Sequence, residues 1–274
     1  GEEEEEETDN LGLLQRHLAR ARPRAEAEHR EVRPLHGHSA HSHAGGPIRG
    51  FMWNPHWQCF VHSPSLCSPN AQQALTKALD SDVDFANIVE LEPQPPYEPP
   101  PSWQKLEKTC GVDVTALFYN SEKWSPLGSV HPGCMETNDR PFVVQGFTSK
   151  RDGMKVIAVG AHFPHGFDWS SLRGAIADAV SSAGTNNVFF MADTNTVISS
   201  TDIFSRLGVA NSAASVSTSL LPTCCNTTYP GFVFNFDRVI ANFGASMATE
   251  EEFDPLPAWA NDEFHKGVIG TLSM

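Results

Sequence analysis

The chain has 274 residues, 40% of them hydrophobic, and a formal net charge of -14 at pH 7. No apolar run approaches the roughly 20 residues that a membrane-spanning helix needs, which excludes that kind of anchor. Residues 1–50 hold 10 acidic and 7 basic side chains, leaving 23 acidic and 12 basic ones for the remainder; so acidic a body argues against tight, sequence-independent binding to a nucleic-acid backbone.

In chain order, residues 1–50 come first and do not read as globular. They open on six consecutive glutamates, continue through an arginine-rich stretch and reach His36, His38, His41 and His43. Leu11, Leu13, Leu14 and Leu18 mark at most one short helix. The rest has too little apolar surface to offset about 1–2 kcal/mol of backbone entropy per residue. A largely disordered acidic and histidine-rich segment is expected, one that docks on another protein if it is ordered at all. The histidine run reads as a solvated tail. The chain starts at Gly1 without methionine or signal peptide, so a processed product of a secretory or organellar lumen is the expectation.

Residues 51–274 read as one domain. Short apolar runs predict buried strands at Ala86–Leu91, Thr115–Tyr119, Phe142–Phe147, Lys155–Ala161, Asn187–Ala192, Arg238–Ala241 and Val268–Leu272. Helical patterns lie at Asn70–Leu79 and Ser170–Ser182, and Pro93–Pro101 is a proline-dense surface loop. Mixed strands with interspersed helices and no internal repeat point to an α+β sandwich. The six cysteines show no CxxC spacing, so a zinc site is not expected. Cys110 and Cys134 flank a predicted strand and the segment after it; disulfides and free buried thiols are both open.

Polar residues at the ends of these apolar runs carry the chemistry. Glu90 interrupts one run, His162 ends another, Asp193 and Asn195 end a third, and Asp237 opens a fourth. A buried, unpaired carboxylate is costly, so each requires a cation, a histidine or a hydrogen-bond donor. Together they make an oxygen-rich site for a hard cation with acid and base partners, the equipment of phosphoester hydrolysis.

At these residues a family resemblance emerges. Met52-Trp53-Asn54 looks like the first strand of the endonuclease/exonuclease/phosphatase superfamily, which includes DNase I and the neutral sphingomyelinases. Ile88-Val89-Glu90-Leu91 resembles its "QE" motif, with Val89 in place of the common Gln. Asp139-Arg140-Pro141-Phe142 is similar to the segment carrying a phosphate-contacting arginine. Ala161-His162 resembles the general-acid histidine motif, Met191-Ala192-Asp193-Thr194-Asn195 the "GDFN" motif, and Phe236-Asp237-Arg238-Val239-Ile240 the "YDRIV" of DNase I.

The resemblance implies a four-layer αββα sandwich of two packed mixed sheets. It also implies a phosphodiester or phosphomonoester substrate (nucleic acid, lipid or small molecule) and Mg²⁺ or Mn²⁺ as cofactor. Carried over residue by residue, it makes His162, Asp193, Asn195, Asp237 and His265 catalytic. Asn54, Arg140 and Asn195 would bind phosphate, and Glu90, Asn54 and Asp262 would hold the metal. Two departures stand out. The family's closing Ser-Asp-His is represented only by Asn261-Asp262-Glu263-Phe264-His265. The carboxylate orienting His162 would be Asp113, shorter than the Glu of DNase I. The rival expectation is a catalytically impaired family member acting as a binding or scaffold subunit; a hydrogen bond from His265 to Asp237 favours an enzyme, and a solvent-facing imidazole favours the scaffold.

Overall fold

The computed structural model describes residues 46–56, 64–92, 96–135, 139–210, 222–225, 233–253 and 265–274. The expectations for residues 1–45 and for Asp262 fall outside them.

The six-stranded sheet runs β12-β13-β1-β2-β4-β3 and the five-stranded sheet β11-β8-β7-β6-β5. In the first, the strands are β1 (Ile48–Trp53), β2 (Phe85–Val89), β3 (Trp103–Cys110), β4 (Asp113–Asn120), β12 (Ser246–Phe253) and β13 (Gly267–Ser273). In the second they are β5 (Trp124–Met135), β6 (Arg140–Ser149), β7 (Lys155–His162), β8 (Val188–Asp193) and β11 (Asp237–Ala241). A small ladder joins β9 (Cys224–Cys225) to β10 (Val233–Phe234). Three helices complete the described fold: α1 (Pro64–Asp80), α2 (Ser170–Ala183) and α3 (Ser200–Arg206).

Both sheets are mixed, because β1 and β2 pair in parallel, as do β7 and β8, whereas their other neighbours run antiparallel. Strand periodicity of two then sorts the side chains into three apolar layers. Phe51, Trp53, Ala86, Ile88 and Phe118 pack against Leu75, Ala78 and Leu79 of α1. Ile157, Val159, Ala161, Phe190, Ala192 and Ile240 pack against α2 and α3. Between the sheets lie Met52, Phe85, Val89, Leu117, Phe147, Ala158, Phe189, Met191 and Val239. The result is the expected four-layer αββα sandwich.

The seven predicted strands and both helices are present, with ends shifted by a few residues. Sequence reading missed β3, β5, β9, β10, β12 and α3. The first two alternate polar with apolar residues and expose one face, so no continuous apolar run marks them. α3 is only seven residues long; its sequence signal is the cap, where Ser199 Oγ accepts from Asp202 N at 3.0 Å. Tyr97, in the proline-dense loop, is buried rather than on the surface. Cys110 and Cys134 form a disulfide joining β3 of one sheet to β5 of the other, and no described cysteine is free.

Candidate active site

Three adjacent strand ends place the site. Asp193, the last residue of β8, is in register with His162 on β7 and with Asp237 on β11. All three share the strand phase of the inter-sheet residues Ala158, Met191 and Val239, so alternation alone aims them into the seam between the sheets. From the other sheet, β1 delivers Asn54 just past Trp53, and β4 begins with Asp113 in phase with Leu117 and Tyr119.

Glu90 breaks this phase rule. In an extended chain it would follow Ala86 and Ile88 toward α1, but its φ of 54° turns the chain at the end of β2. Asn195 has φ 43°. Such left-handed backbone at a non-glycine residue costs on the order of 1–3 kcal/mol and persists where the surroundings over-determine it. Here hydrogen bonds do so: Asn195 N donates to Asp193 Oδ1 at 3.1 Å, and Asn195 Nδ2 donates to Phe163 O at 2.9 Å and lies 3.1 Å from His162 Nε2.

The centre is two histidine–carboxylate pairs on either side of Asp193. His162 Nδ1 lies 2.7 Å from Asp113 Oδ2, and Arg140 Nη1 donates to that same oxygen at 3.3 Å. His265 Nδ1 lies 2.7 Å from Asp237 Oδ2, which also accepts from Thr223 Oγ1 at 2.7 Å. Asp193 Oδ2 stands 3.6 Å from His162 Nε2 and 3.6 Å from His265 Nδ1. Asn54 Nδ2 donates to Asp193 Oδ2 at 2.8 Å and reaches Glu90 Oε1 at 3.4 Å, while its Oδ1 accepts from His56 N. Glu90 Oε1 is also 3.5 Å from His162 Nε2.

The structure thus brings together Asn54, Glu90, Arg140, His162, Asp193, Asn195, Asp237 and His265, with Asp113 as the carboxylate behind His162. The departure at His265 is bridged without a directly adjacent acid. Trp53 Nε1 donates to His265 O at 3.2 Å, and Lys266 N donates to Thr223 O at 2.9 Å, which fixes the residue from two sides. Thr223 is the participant that sequence reading missed; a lone threonine before an unassigned short strand carries no signal.

Burial and charge oppose each other throughout. Burial is the largest single influence on His162 and works against its protonation, but the charge and hydrogen bond of Asp113, together with the charge of Asp193, outweigh it and the net shift is upward. For His265 burial again opposes, and the charges of Asp237 and Asp193 raise it to about 9. Asp113 is driven up by burial, yet His162 and Arg140 bring it below the usual carboxylate range. Asp193 is likewise lowered on balance, with His265, His162 and Asn54 overcoming burial. Asp237 goes the other way, because burial and Asp193 push its carboxyl up.

A divalent cation fits this set of donors. Asp193, Asp237 and His265 each offer a ligand atom, all within 4.8 Å of one another, and could hold a metal ion. Asp237 Oδ1 is buried with no hydrogen-bond partner among the described residues, and a carboxylate oxygen in that state suits a hard cation. Asn54, expected as a ligand, turns its amide nitrogen to the carboxylates and so links Glu90 to Asp193.

No family model and no curated protein matches the sequence. Solved structures do match the fold. An endonuclease/exonuclease/phosphatase from Bacteroides vulgatus superposes with a TM-score of 0.58 at 12% identity, covering 84% of this chain and 100% of that one. TDP2 from D. rerio, solved with a single-strand DNA product, gives 0.58 at 15% identity, over 84% of this chain and 100% of that one. The human Nocturnin catalytic domain, solved with bound sulfate, gives 0.55 at 15% identity, over 83% and 94%. The two mixed sheets and the helices that cover them therefore have the fold of the endonuclease/exonuclease/phosphatase proteins, as the motifs Glu90, His162, Asp193-Thr194-Asn195 and Asp237-Arg238 imply.

Proposed function

We propose that this protein is a divalent-metal-dependent phosphodiesterase. The observation that carries the reading is the row His162–Asp193–Asp237 in register across three strands, each end of which belongs to a histidine–carboxylate pair, His162 with Asp113 and Asp237 with His265. Mg²⁺ or Mn²⁺ held by Glu90 and Asp193 would supply Lewis-acid stabilisation of charge on the phosphoryl oxygens. Of the three residues that could hold an ion, Asp193 is the one this placement uses, because His265 Nδ1 and Asp237 Oδ2 are engaged with each other, a contact that assigns proton transfer to Nε2.

Each residue then has a role that its geometry supports. His265, oriented by Asp237, accepts the proton of the attacking water at Nε2 when neutral, a state that its pKa of about 9 reserves for alkaline pH as long as Asp193 is charged. Asn195 and Asp193 align water and phosphate, and Arg140 neutralises an equatorial oxygen. His162, oriented by Asp113, meets the leaving oxygen from the other side. Its Nε2 accepts from the Asn195 amide in the free protein, so that amide must yield before Nε2 carries a proton.

The charge balance favours a diester. Glu90, Asp113, Asp193 and Asp237 face one guanidinium group, Arg140, and a dianionic monoester meets more repulsion there than a monoanionic diester. The scaffold alternative anticipates a solvent-facing His265; the 2.7 Å contact with Asp237 favours turnover instead. The Cys110–Cys134 disulfide, with Cys224 also disulfide-bonded, supports an oxidising lumen or secretion as the location.

The test is a panel of bis-p-nitrophenyl phosphate, p-nitrophenyl phosphate, a single-stranded oligonucleotide and a phospholipid. Each is assayed with Mg²⁺, with Mn²⁺ and with chelator. Metal-dependent cleavage of a diester ahead of the monoester is expected. No turnover of any substrate with either metal would return the protein to the scaffold reading.

A further inference from the structure

Arg238 is the residue of the Phe236-Asp237-Arg238-Val239-Ile240 motif that the proposed mechanism does not use. On β11 the residues facing the other sheet are Asp237, Val239 and Ala241; Arg238 shares the opposite phase with Ile240, whose surroundings are the apolar layer of Phe190, Ala192 and Phe204. An arginine there is only 1% exposed. Among the described residues no carboxylate lies within ion-pairing distance of it. Burial draws its pKa down to about 10 against the charges of Asp193 and Asp237, so it stays protonated at neutral pH.

A guanidinium in such a place is costly unless its donors are satisfied, and here backbone carbonyls satisfy them. Nη1 donates to Ile198 O at 2.7 Å, Nη2 to Thr196 O at 2.7 Å and Nε to Asn235 O at 3.0 Å. Two of these carbonyls belong to the turn that follows β8, the turn in which Asn195 holds its positive φ. The same turn is tied to Phe236 O by Thr194 N and Thr194 Oγ1, at 2.8 and 2.9 Å. An aliphatic residue would fill the space as Ile240 does, but only a planar fork meets two carbonyls of one turn together.

We infer that Arg238 is a positioning residue, which staples the turn 194–198 and thereby aims Asn195 at His162 and the substrate phosphate. The inference rests on the phosphodiesterase reading for its catalytic consequence and on the hydrogen bonds alone for the staple.

The test is Arg238→Lys, which keeps the charge and loses the fork, made in the wild-type and the Asn195→Ala backgrounds. With bis-p-nitrophenyl phosphate and Mn²⁺, kcat should fall about tenfold or more in the wild-type background with KM changed less than about twofold. In the Asn195→Ala background the same substitution should cost less than about twofold, because both changes act through one group. Amide exchange at Thr196–Ile198 should quicken while Val188–Asp193 stays protected. Arg238→Gln is read in the same way if the lysine variant does not fold. Equal losses of kcat in the two backgrounds, or wild-type kcat in Arg238→Lys, would overturn the positioning role. If the wild type turns over nothing, the phosphodiesterase reading has failed, and exchange decides the staple by itself: selective quickening sustains it and unchanged exchange ends it.

Discussion

Asp113→Asn separates the charge of the His162 pair from its shape. The amide is isosteric, so the start of β4 and the cross-sheet bond from Thr115 Oγ1 to Pro141 O should persist. What disappears is the negative charge 2.7 Å from His162 Nδ1. A neighbouring opposite charge moves a pKa by about 1–3 units, each worth about 1.36 kcal/mol. With that contribution gone, burial and Arg140 outweigh the remaining charge of Asp193 on His162, and its pKa should drop below the unperturbed value of about 6.5. The Asn can also present NH₂ rather than oxygen to Nδ1, which favours the tautomer with the proton on Nε2 and spoils the acceptor geometry toward Asn195. Loss of a tuned general acid costs about 10²–10⁴ in rate, and kcat should fall by that order with little change in KM. The assays are a pH–rate profile and an NMR titration of His162.

The stability consequence has a definite sign. The folded-state pKa of His162 lies above its unfolded value, so its charge contributes stability that is fully present below pH of about 6.5 and lost as pH rises through the folded value. In metal-free protein the Tm gap between wild type and Asp113→Asn should therefore widen on going from pH 8 to pH 6. If kcat stays within about twofold of wild type and His162 titrates unchanged, Asp113 does not act through this histidine and the acid assignment is wrong.

Other perturbations test other links. Asp193→Ala should abolish metal-dependent turnover, and in metal-free protein it should lower stability rather than relieve repulsion, because Asp193 is fully buried and holds a lowered pKa through His265, His162 and Asn54; calorimetry showing a higher Tm would contradict this. Replacing Cys110 and Cys134 by Ser should cost about 2–4 kcal/mol in denaturant titrations. It should also reduce kcat, since the bridge ties the β3–β4 hairpin bearing Asp113 to the β5–β6 hairpin bearing Arg140; unaltered kcat would confine the disulfide to stability. Gly160→Ala would drive a methyl group into the buried Asn87 amide between the sheets, and an overpacking cost of about 1–3 kcal/mol should appear as a lower Tm.

How far the sequence revealed the fold follows from which faces are buried. β7 and β8 are buried on both sides, read as unbroken apolar runs, and are found within a residue or two. β3 and β5 expose one face and mix lysine, glutamate and serine into it, so their strands emerge only when a partner sheet is present. At the site, Asp193 and His162 are legible because a polar residue closes an otherwise apolar run, and Asp237 because one opens it. Glu90 is legible as a carboxylate but not in direction, since its positive φ reverses the face that alternation assigns. Thr223 and the connection from Arg238 to Thr196 and Ile198 are long-range contacts that no local pattern encodes.

The two dyads are alike in length and unlike in surroundings, and that difference underlies the roles proposed for them. Asp113 faces a histidine and a guanidinium, so its charge is shared, and Arg140 also opposes protonation of His162. Asp237 has no cation other than His265 within ion-pairing distance among the described residues, and Asp193 adds a second negative charge 3.6 Å from His265 Nδ1. Asp193 acts on both imidazoles, but Arg140 offsets the carboxylates only at His162, which leaves His162 the readier donor and His265 the stronger proton acceptor. Neutralising Asp193 would remove one of the three carboxylate charges holding His265 up and bring its pKa back toward neutrality, where a general base is most effective. Asp193 thus sits where one change of charge retunes both histidines, which is why the register of three strand ends, rather than any single motif, carries the argument for catalysis.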